Sequence, residues 1–156
     1  MDFADWWAVH DLSLRYAEGI DRRDWELFAE CFAPQVRIDF SSFSHRPAPP
    51  EPLTVAEWVA AVRSTIDGFP ATQHLIGNQR ITLEPPGQGA AGPRRGAYTA
   101  YIQAQHWVDP QRWYLIGGWY ENEVALLDGG WKLTAVTLHQ TWDAGERALL
   151  REVNRR

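Results

Sequence analysis

Three side chains in this sequence have the types and the placement that acid–base chemistry requires. His74 and His106 fall in two consecutive segments that read as strands, and Asp21 follows the first predicted helix beside the apolar Ile20. A carboxylate buried next to apolar residues needs a partner, and a histidine is a natural one. An imidazole on an apolar strand face must also bond to a ligand, to water or to a carboxylate. Together, one carboxylate and two imidazoles suggest proton transfer in an enclosed pocket.

Metal binding is the main rival interpretation of these three residues. Two histidines and one carboxylate can form a facial triad, but the sequence has neither a His-x-His nor a His-x-x-x-His pair. Nucleophilic schemes have less support, because no Gly-x-Ser-x-Gly motif occurs and Cys31 lies in an apolar helix, where packing is its ordinary role. No glycine-rich phosphate loop follows a strand. We therefore expect metal-free chemistry without a cofactor.

Composition narrows the class of partner. The chain of 156 residues carries a net charge of −5, and no basic stripe is present, so we expect no nucleic-acid partner. One cysteine rules out an internal disulfide and indicates a reducing compartment. No signal peptide and no apolar run long enough for a bilayer is found, so we expect a cytoplasmic protein without a membrane partner. The length fits a single domain over residues 1–156.

The hydrophobic pattern places helices first and strands afterwards. The predicted helices cover 3–20, 25–32, a stretch from the capping box at Thr54 to Ile66, and 145–154; the predicted strands cover 36–40, 71–84, 96–108, 113–126 and 131–142. Such an order indicates an α+β fold. A strongly curved, mostly antiparallel sheet packed on the N-terminal helices would enclose a cone-shaped pocket. Between these elements, the proline-rich segment 41–52 is predicted to be a loop or lid, and 85–95 a hairpin loop.

These residues, in this order, resemble the SnoaL-like branch of the NTF2-like superfamily, and within it scytalone dehydratase and its relatives. The resemblance covers nearly the whole chain and implies an NTF2-like cone. It rests on the segments Ile20-Asp21-Arg22-Arg23-Asp24-Trp25, Arg37-Ile38-Asp39-Phe40-x-Ser42-Phe43, Thr72-Gln73-His74-Leu75-Ile76-Gly77 and Asp128-Gly129-Gly130-Trp131-Lys132, and on His106.

The resemblance also implies a reaction and a role for each residue. In dehydratases of this family an aspartate orients a histidine, which removes a proton next to a carbonyl, and a second histidine helps the β-hydroxyl to leave as water. Carried over, Asp21 orients, His74 is the base and His106 is the acid. A base of near-neutral basicity suits proton transfer at physiological pH.

Several pocket positions depart from the scytalone dehydratase pattern. Two tyrosines that hold a carbonyl-polarising water there correspond to Ile20 and Phe40, and a serine and an asparagine fall near Gly118 and Tyr120. The carbonyl therefore needs another donor. Candidate donors are Tyr16, which resembles a tyrosine of bile-acid dehydratases, Tyr120, and Asn78, which is predicted to point the same way as His74. The losses imply a small-molecule substrate that is apolar or polycyclic, such as a polyketide.

Two alternatives remain open at the level of sequence. A polyketide cyclase, isomerase or pericyclase of the same fold would depend on pocket shape, with walls predicted at Trp6, Trp7, Phe40, Trp58 and Trp119. A non-catalytic module would use the cone only to bind a ligand. A pH–rate profile distinguishes general-base catalysis from templating, because only the former requires a titrating imidazole.

Aromatic residues suggest a protein partner as well. Trp107, Trp113 and Trp131 are predicted to lie on the outer face of the sheet. Because contiguous exposed aromatic surface usually marks an interface, we expect a homo-oligomer, either a dimer or a trimer.

Overall fold

The order of elements follows the predicted succession of helices and strands. The computed structural model describes residues 2–87 and 92–154. Its helices are α1 (Phe3–Arg22), α2 (Trp25–Glu30), α3 (Ser41–Ser44), α4 (Val55–Ile66) and α5 (Leu149–Glu152). Its strands are β1 (Phe32–Asp39), β2 (Leu53–Thr54), β3 (Ala71–Leu83), β4 (Arg95–Asp109), β5 (Arg112–Leu127) and β6 (Gly130–Gly145). The predicted α+β class, with helices packed on a curved sheet, is confirmed.

The two longest helices begin at side-chain caps. Asp2 accepts a hydrogen bond from the backbone N–H of Ala4 at the start of α1. Thr54 and Glu57 exchange hydrogen bonds at the start of α4, which confirms the predicted capping box. Such caps satisfy N–H groups that have no partner inside the helix. The face of α1 that packs on the sheet carries Val9, Leu12, Ser13, Tyr16, Gly19 and Ile20. This spacing of three and four residues places one buried stripe along the helix.

Six strands form one open sheet in the order β2-β1-β6-β5-β4-β3. β1 runs parallel to β6, and the other neighbouring pairs are antiparallel. Alternation along each strand separates an inner face, which meets the helices, from an outer face. On β4 the inner residues are buried and comprise Tyr98, Ala100, Ile102, Ala104 and His106. β3 is the last strand at one edge, and it carries His74 next to β4.

Two irregularities bend the sheet. The register between β3 and β4 shifts between Gly77 and Arg80, which leaves an extra residue in β3, and Asn78 has a φ of 52° there. A bulge of this kind bends the strand and increases its twist. The register between β5 and β6 shifts between Gly117 and Gly118. A Cβ on Gly118 would collide with a backbone carbonyl of β6, and a glycine within a strand permits such a close approach of two backbones.

Several predicted boundaries shift in the structure. α1 continues to Arg22, so Asp21 lies in its last turn and not in the turn that follows it. The predicted loop 41–52 begins with α3, where the Ser42 hydroxyl donates to the carbonyl of Leu138 at 2.5 Å. This part of the segment is therefore fastened to β6. Of the predicted hairpin loop 85–95, residues 88–91 lie outside the described part of the chain. No helix among the described residues has the length and apolarity needed to cross a membrane.

The predicted outer position is wrong for one of three tryptophans. Trp131 is 4% exposed, and its Nε1 donates to Asp5 at 3.0 Å. Arg94 lies over the same ring, so Trp131 belongs to the packing between the start of α1 and the sheet. Trp107 and Trp113 do lie together on the outer face, with ring centroids 5.8 Å apart. The bulge between Glu123 and Val124 changes the register of β6 near Trp131, which alternation alone does not reveal.

Candidate active site

An apolar cavity of about 210 Å³ lies between the helices and the inner face of the sheet. It is lined by Tyr16 and Ile20 of α1, by Phe40, Phe43 and Ser44, by Trp58, Ala61, Val62, Thr65 and Ile66 of α4, and by His74, Ala104, His106, Ile116, Tyr120 and Leu138 of the sheet. This volume lies below the roughly 300–1,000 Å³ typical of pockets for drug-sized ligands. It therefore favours a compact reacting group over the polycyclic substrate suggested by the family resemblance.

Asp21 accepts three hydrogen bonds at the edge of the sheet, two from His74 and one from Thr72. Its Oδ1 accepts from Nδ1 of His74 at 2.7 Å and from the hydroxyl of Thr72 at 2.9 Å. Because β3 is the edge strand, its outward N–H groups have no neighbouring strand, and that of His74 donates to Oδ2 of Asp21 at 2.7 Å. The last turn of α1 thus covers the free edge at this point and fixes both the backbone and the ring of His74.

The protonation states of this pair follow from the same contacts. Burial acts to raise the pKa of Asp21, but the hydrogen bonds and the charge of His74, together with the bond from Thr72, hold that pKa below its ordinary value. An ionised carboxylate accepts only, so Nδ1 of His74 carries a proton. In the neutral ring, Nε2 then bears the lone pair, and it has no hydrogen-bond partner among the described residues. His74 lines the cavity and is able to accept a proton there.

Arg23 and Thr72 support the Asp21–His74 pair. In the sequence, nothing distinguishes Arg23 from its neighbour Arg22. The Arg23 guanidinium donates to the Thr72 hydroxyl at 2.9 Å, and that hydroxyl in turn donates to Asp21. The Arg23 guanidinium also donates to the backbone carbonyl of Ile20 at 2.8 Å and to that of Phe69 at 2.9 Å. Arg23 has a φ of 59° just after α1. This left-handed residue turns the guanidinium back toward the ends of α1 and α4.

The position of Thr72 in the sequence indicates that it lies near His74, because residues two apart in a strand share one face of the sheet. Arg23 had no such signal, because three of its five partners, the Thr72 hydroxyl and the backbone carbonyls of Ile66 and Phe69, lie in distant segments. Contacts of this kind leave no pattern in a single sequence.

His106 is buried beside His74 and is held in one orientation. Its ring centroid is 5.8 Å from that of His74, and the two planes are nearly perpendicular. Nδ1 donates to the backbone carbonyl of Tyr114 at 3.2 Å, so Nε2 is the nitrogen that bears the lone pair in the neutral ring. Burial and the neighbouring His74 ring lower the pKa of His106 to about 4. His106 is therefore neutral near pH 7 and is able to accept a hydrogen bond at Nε2. The acid role implied by the resemblance does not match this resting state, because Nε2 has no proton to give.

Two tyrosines stand on the other side of the cavity. The hydroxyls of Tyr16 and Tyr120 are 3.4 Å apart and buried. Burial and the neighbouring Tyr120 hydroxyl raise the pKa of Tyr16 well above its ordinary value, and burial raises the pKa of Tyr120 to about 12. Both phenols are thus protonated near pH 7. One can donate to the other, which leaves a proton to offer to a carbonyl oxygen in the cavity.

The remaining walls are apolar and aromatic. Phe40 and Trp58 pack edge to face with centroids 5.1 Å apart, and both line the cavity with Ile20. The other predicted walls lie elsewhere. Trp6 and Trp7 are near the exposed start of α1, and Trp119 stacks on His139 on the outer face. Only Phe40 and Trp58 of the five residues predicted as walls therefore meet the cavity.

Asn78 and Gly118, which were predicted to contact substrate, do not line the cavity. Both border a depression on the opposite, outer face of the sheet. The bulge at Asn78 explains the error, because an extra residue reverses the alternation beyond it. Gln79 turns inward instead, and its amide donates to the hydroxyl of Ser13 on α1 at 2.7 Å. Gly118 serves the close packing of β5 against β6.

Metal binding and nucleophilic catalysis gain no support from the surrounding groups. Within residues 2–87 and 92–154, no three side chains of His, Cys, Asp and Glu come close enough to hold a metal ion. Burial raises the pKa of Cys31 to about 12, so it remains a thiol. The cavity thus offers one oriented base, one neutral acceptor and two phenol donors. That set can remove a proton next to a carbonyl and stabilise the resulting enolate.

Comparisons with known proteins place this geometry in context. A family model described as a SnoaL-like domain matches residues 2–137. The scytalone dehydratase of Colletotrichum orbiculare is 31% identical over 81 residues, which make up 50% of this chain and 42% of that protein. The matched part thus spans less than half of the Colletotrichum enzyme. Dehydratase cfoI of Aspergillus candidus is 28% identical over 159 residues, covering 92% of this chain and 87% of that one.

Among solved structures, the Kfla4162 protein from Kribbella flavida has a similar fold. It superimposes with a TM-score of 0.81 at 26% identity, over 95% of this chain and 97% of that one. The similarity extends over nearly the whole of both chains, so the two proteins share the fold.

Proposed function

Since the chain belongs to the SnoaL-like domain family, we propose that it is a cofactor-independent lyase that removes water from a β-hydroxy carbonyl compound. The membership confirms the predicted resemblance and the NTF2-like architecture. Relatives named as dehydratases support this general type of enzyme. The observation that carries the proposal is the Asp21–His74 pair, in which the carboxylate holds the Nδ1 proton and leaves Nε2 as a base beside the cavity.

The proposed reaction begins with proton transfer to His74. Nε2 takes the proton from the carbon next to the carbonyl, and Asp21 stabilises the imidazolium that forms. The electron pair of the broken C–H bond moves to the carbonyl oxygen, where Tyr16 or Tyr120 donates a hydrogen bond to the developing charge. The lining of the cavity is mostly apolar, and charges interact more strongly in such surroundings than in bulk water.

The second half of the reaction expels the hydroxyl group. Neutral His106 accepts a hydrogen bond from the β-hydroxyl and holds it near His74. The electron pair of the enolate forms the C=C bond as the C–O bond breaks. The imidazolium of His74 returns its proton to the leaving hydroxyl, so that water departs and the base is regenerated. One residue thus serves as base and then as acid, which fits the absence of a proton on Nε2 of His106.

Substitution of the pair tests the proposal. We expect His74→Ala and Asp21→Asn each to lower kcat by about 10²–10⁴-fold, as removal of a general base does. The assay is release of water from a panel of compact β-hydroxy ketones and thioesters, followed by mass and by absorbance of the conjugated product. His139→Gln is the matched control, because His139 lies on the outer face and stacks on Trp119.

The outcomes separate the alternatives. Full turnover in His74→Ala would remove the base assignment. A product that keeps the mass of the substrate would identify an isomerase or a cyclase that uses the same proton abstraction. Tight binding with no change in any compound of the panel would favour the non-catalytic binding module.

A further inference from the structure

A second groove adjoins the mouth of the cavity and differs from it in charge. It has a volume of about 530 Å³ and shares Phe43, Ser44 and Thr65 with the cavity wall. Its other lining residues are Arg46, Arg147, Ala148, Leu150, Arg151 and Glu152. A molecule with its reacting end among the apolar walls can therefore extend past these three shared residues into the groove.

Three arginines face one glutamate in this groove, although the whole chain carries a net charge of −5. The glutamate is already neutralised, because Glu152 accepts from Arg112 at 2.7 Å. Arg147 is paired as well, with Asp143 at 3.5 Å, so the positive charge of the groove comes from Arg46 and Arg151. A concave surface concentrates such a field and attracts ions of the opposite sign.

The three arginines differ in how much of their hydrogen bonding is used. Arg147 is committed to the protein: it donates to the Tyr114 hydroxyl at 2.6 Å, to the backbone carbonyl of Phe43, and it packs over the Phe43 ring. Arg46 and Arg151 are exposed, and their guanidinium groups have no hydrogen-bond or ion-pair partner among the described residues. Within residues 2–87 and 92–154, these two guanidinium groups thus have donors that no protein group uses.

We propose that this groove binds an anionic group, a carboxylate or a phosphate, at the far end of the substrate whose compact apolar head reacts in the cavity. The inference rests on the proposed function, since it names the substrate class of the same site. Guanidinium groups bind carboxylate and phosphate through paired hydrogen bonds, which an ester or an amide cannot match. The carboxylate would belong to a free acid and the phosphate to a phosphorylated carrier. In both cases the anion fixes the depth to which the head enters the cavity.

Binding of simple probes tests the inference without any turnover. Octanoate, octyl phosphate and methyl octanoate share one apolar chain and differ in the end group. Affinity is measured by calorimetry and by quenching of tryptophan fluorescence, because Trp58 lines the cavity. We expect the anionic probes to bind about tenfold more tightly than the ester, as two partly exposed charge pairs allow. High salt should reduce this preference, since exposed charges are screened.

A double variant assigns the preference to the groove. Arg46→Gln with Arg151→Gln should remove most of the difference between the anionic probes and the ester, and leave binding of the ester itself unchanged. Arg80→Gln is the matched control, because Arg80 is exposed on β3, lines neither the cavity nor the groove, and has no partner among the described residues. Tighter binding of octyl phosphate than of octanoate would indicate a substrate on a phosphorylated carrier. Octanoate that binds as tightly as octyl phosphate, or more tightly, would indicate a free acid.

Equal affinity for the ester and both anions would overturn the inference, as would a preference that survives the double variant. His74→Ala keeps this test separate from the proposed reaction. Loss of turnover with an intact anion preference in that variant is expected if both proposals hold. If the wild-type protein prefers the anionic probes but dehydrates no compound of the panel, the proposed reaction is wrong and the groove remains an anion-binding site.

Discussion

At the scale of single residues, the site depends on where each proton lies. The ionised carboxylate of Asp21 and the carbonyl of Tyr114 each accept from Nδ1 of one histidine, so both rings keep Nε2 as the acceptor. Two histidines in adjacent strands nevertheless differ in role because one faces a carboxylate and the other a backbone carbonyl. The difference sets His74 apart as the group that can store a positive charge.

The phenol pair gives a prediction about the carbonyl. We expect Tyr16→Phe and Tyr120→Phe each to lower kcat by about 10²-fold, the usual effect of removing one donor to a developing oxyanion. Because the donor acts mainly in the transition state, KM should change little. Steady-state kinetics with the β-hydroxy carbonyl substrate that the wild-type protein dehydrates checks this prediction. Tyr101→Phe is the control, since Tyr101 is 63% exposed on the outer face; an equal loss there would count against the assignment.

Burial of neutral His106 predicts a pH dependence of stability. Its pKa is lowered from 6.5 to about 4, so between these values the unfolded chain binds a proton that the folded protein lacks. Stability from this residue is therefore complete above about pH 6.5 and falls as the pH decreases toward about 4, by at most about 3 kcal/mol. Asp21, with its lowered pKa, loses its own contribution only below 3.8, outside this window.

Urea unfolding at about pH 7.5 and about pH 4.5 measures this difference. His106→Gln should show a smaller loss of stability on acidification than the wild-type protein, because glutamine does not titrate. The charges of Asp21 and Arg23 and the ring of His74, which surround His106, remain in both proteins. Equal losses in the two proteins would show that His106 is not kept neutral by burial.

At the scale of elements, the site is built where the last turn of α1 meets the free edge of β3. An edge strand exposes unpaired N–H groups, and Asp21 uses one of them to hold His74. The bulge that follows at Asn78 then turns Gln79 toward Ser13 and ties β3 to α1 a second time. These two attachments, at His74 and at Gln79, fix the edge strand against the helix on both sides of Ile76.

The close approach of β5 and β6 predicts an asymmetry between two glycines. Gly118→Ala should destabilise the fold by a few kcal/mol, because its Cβ would overlap the backbone carbonyl of His139, and overpacking of a tight site carries such a cost. Gly77→Ala should be nearly neutral, since no atom lies within 4 Å of its Cβ position. Thermal unfolding of both variants checks the difference. Similar melting temperatures would contradict the tight register at Gly118.

At the scale of the whole molecule, the sheet has two faces with different tasks. The inner face encloses the cavity, and the outer face exposes large side chains, with Leu75 51%, Tyr101 63% and Trp142 45% accessible. These three residues border one depression together with Gly118 and Asn78. Contiguous apolar exposure of this kind usually marks an interface. The residues that sequence alone assigned to the pocket thus belong partly to a surface that faces away from it.

We propose that the chain forms a homo-oligomer through this outer face. Tyr101→Glu should shift the protein toward monomer in sedimentation velocity, because a buried unpaired carboxylate is costly. Turnover per chain should persist, since the cavity lies on the other side of the sheet. Leu14→Glu on the exposed side of α1 is the control, with Leu14 42% accessible. A wild-type protein that sediments as a monomer at every concentration would contradict the proposal.

The sequence by itself determined the features that repeat locally or match a family pattern. The capping box at Thr54 and the strand that became β4 were readable because each depends on neighbouring residues. Residue types and placement also singled out Asp21, His74 and His106, which the structure brings together, and the resemblance added a role for each.

Only the tertiary structure decided the rest. The bulge at Asn78 reversed the facing of the strand, and Trp131 turned inward to meet Asp5. The protonation of His106 depends on a neighbouring strand, and three of the five donations of Arg23, those to Thr72, Ile66 and Phe69, reach groups that are far away in the chain. The physical reason is that a side chain's direction follows local alternation only while the register holds. Its charge state follows from whatever the packed fold places beside it.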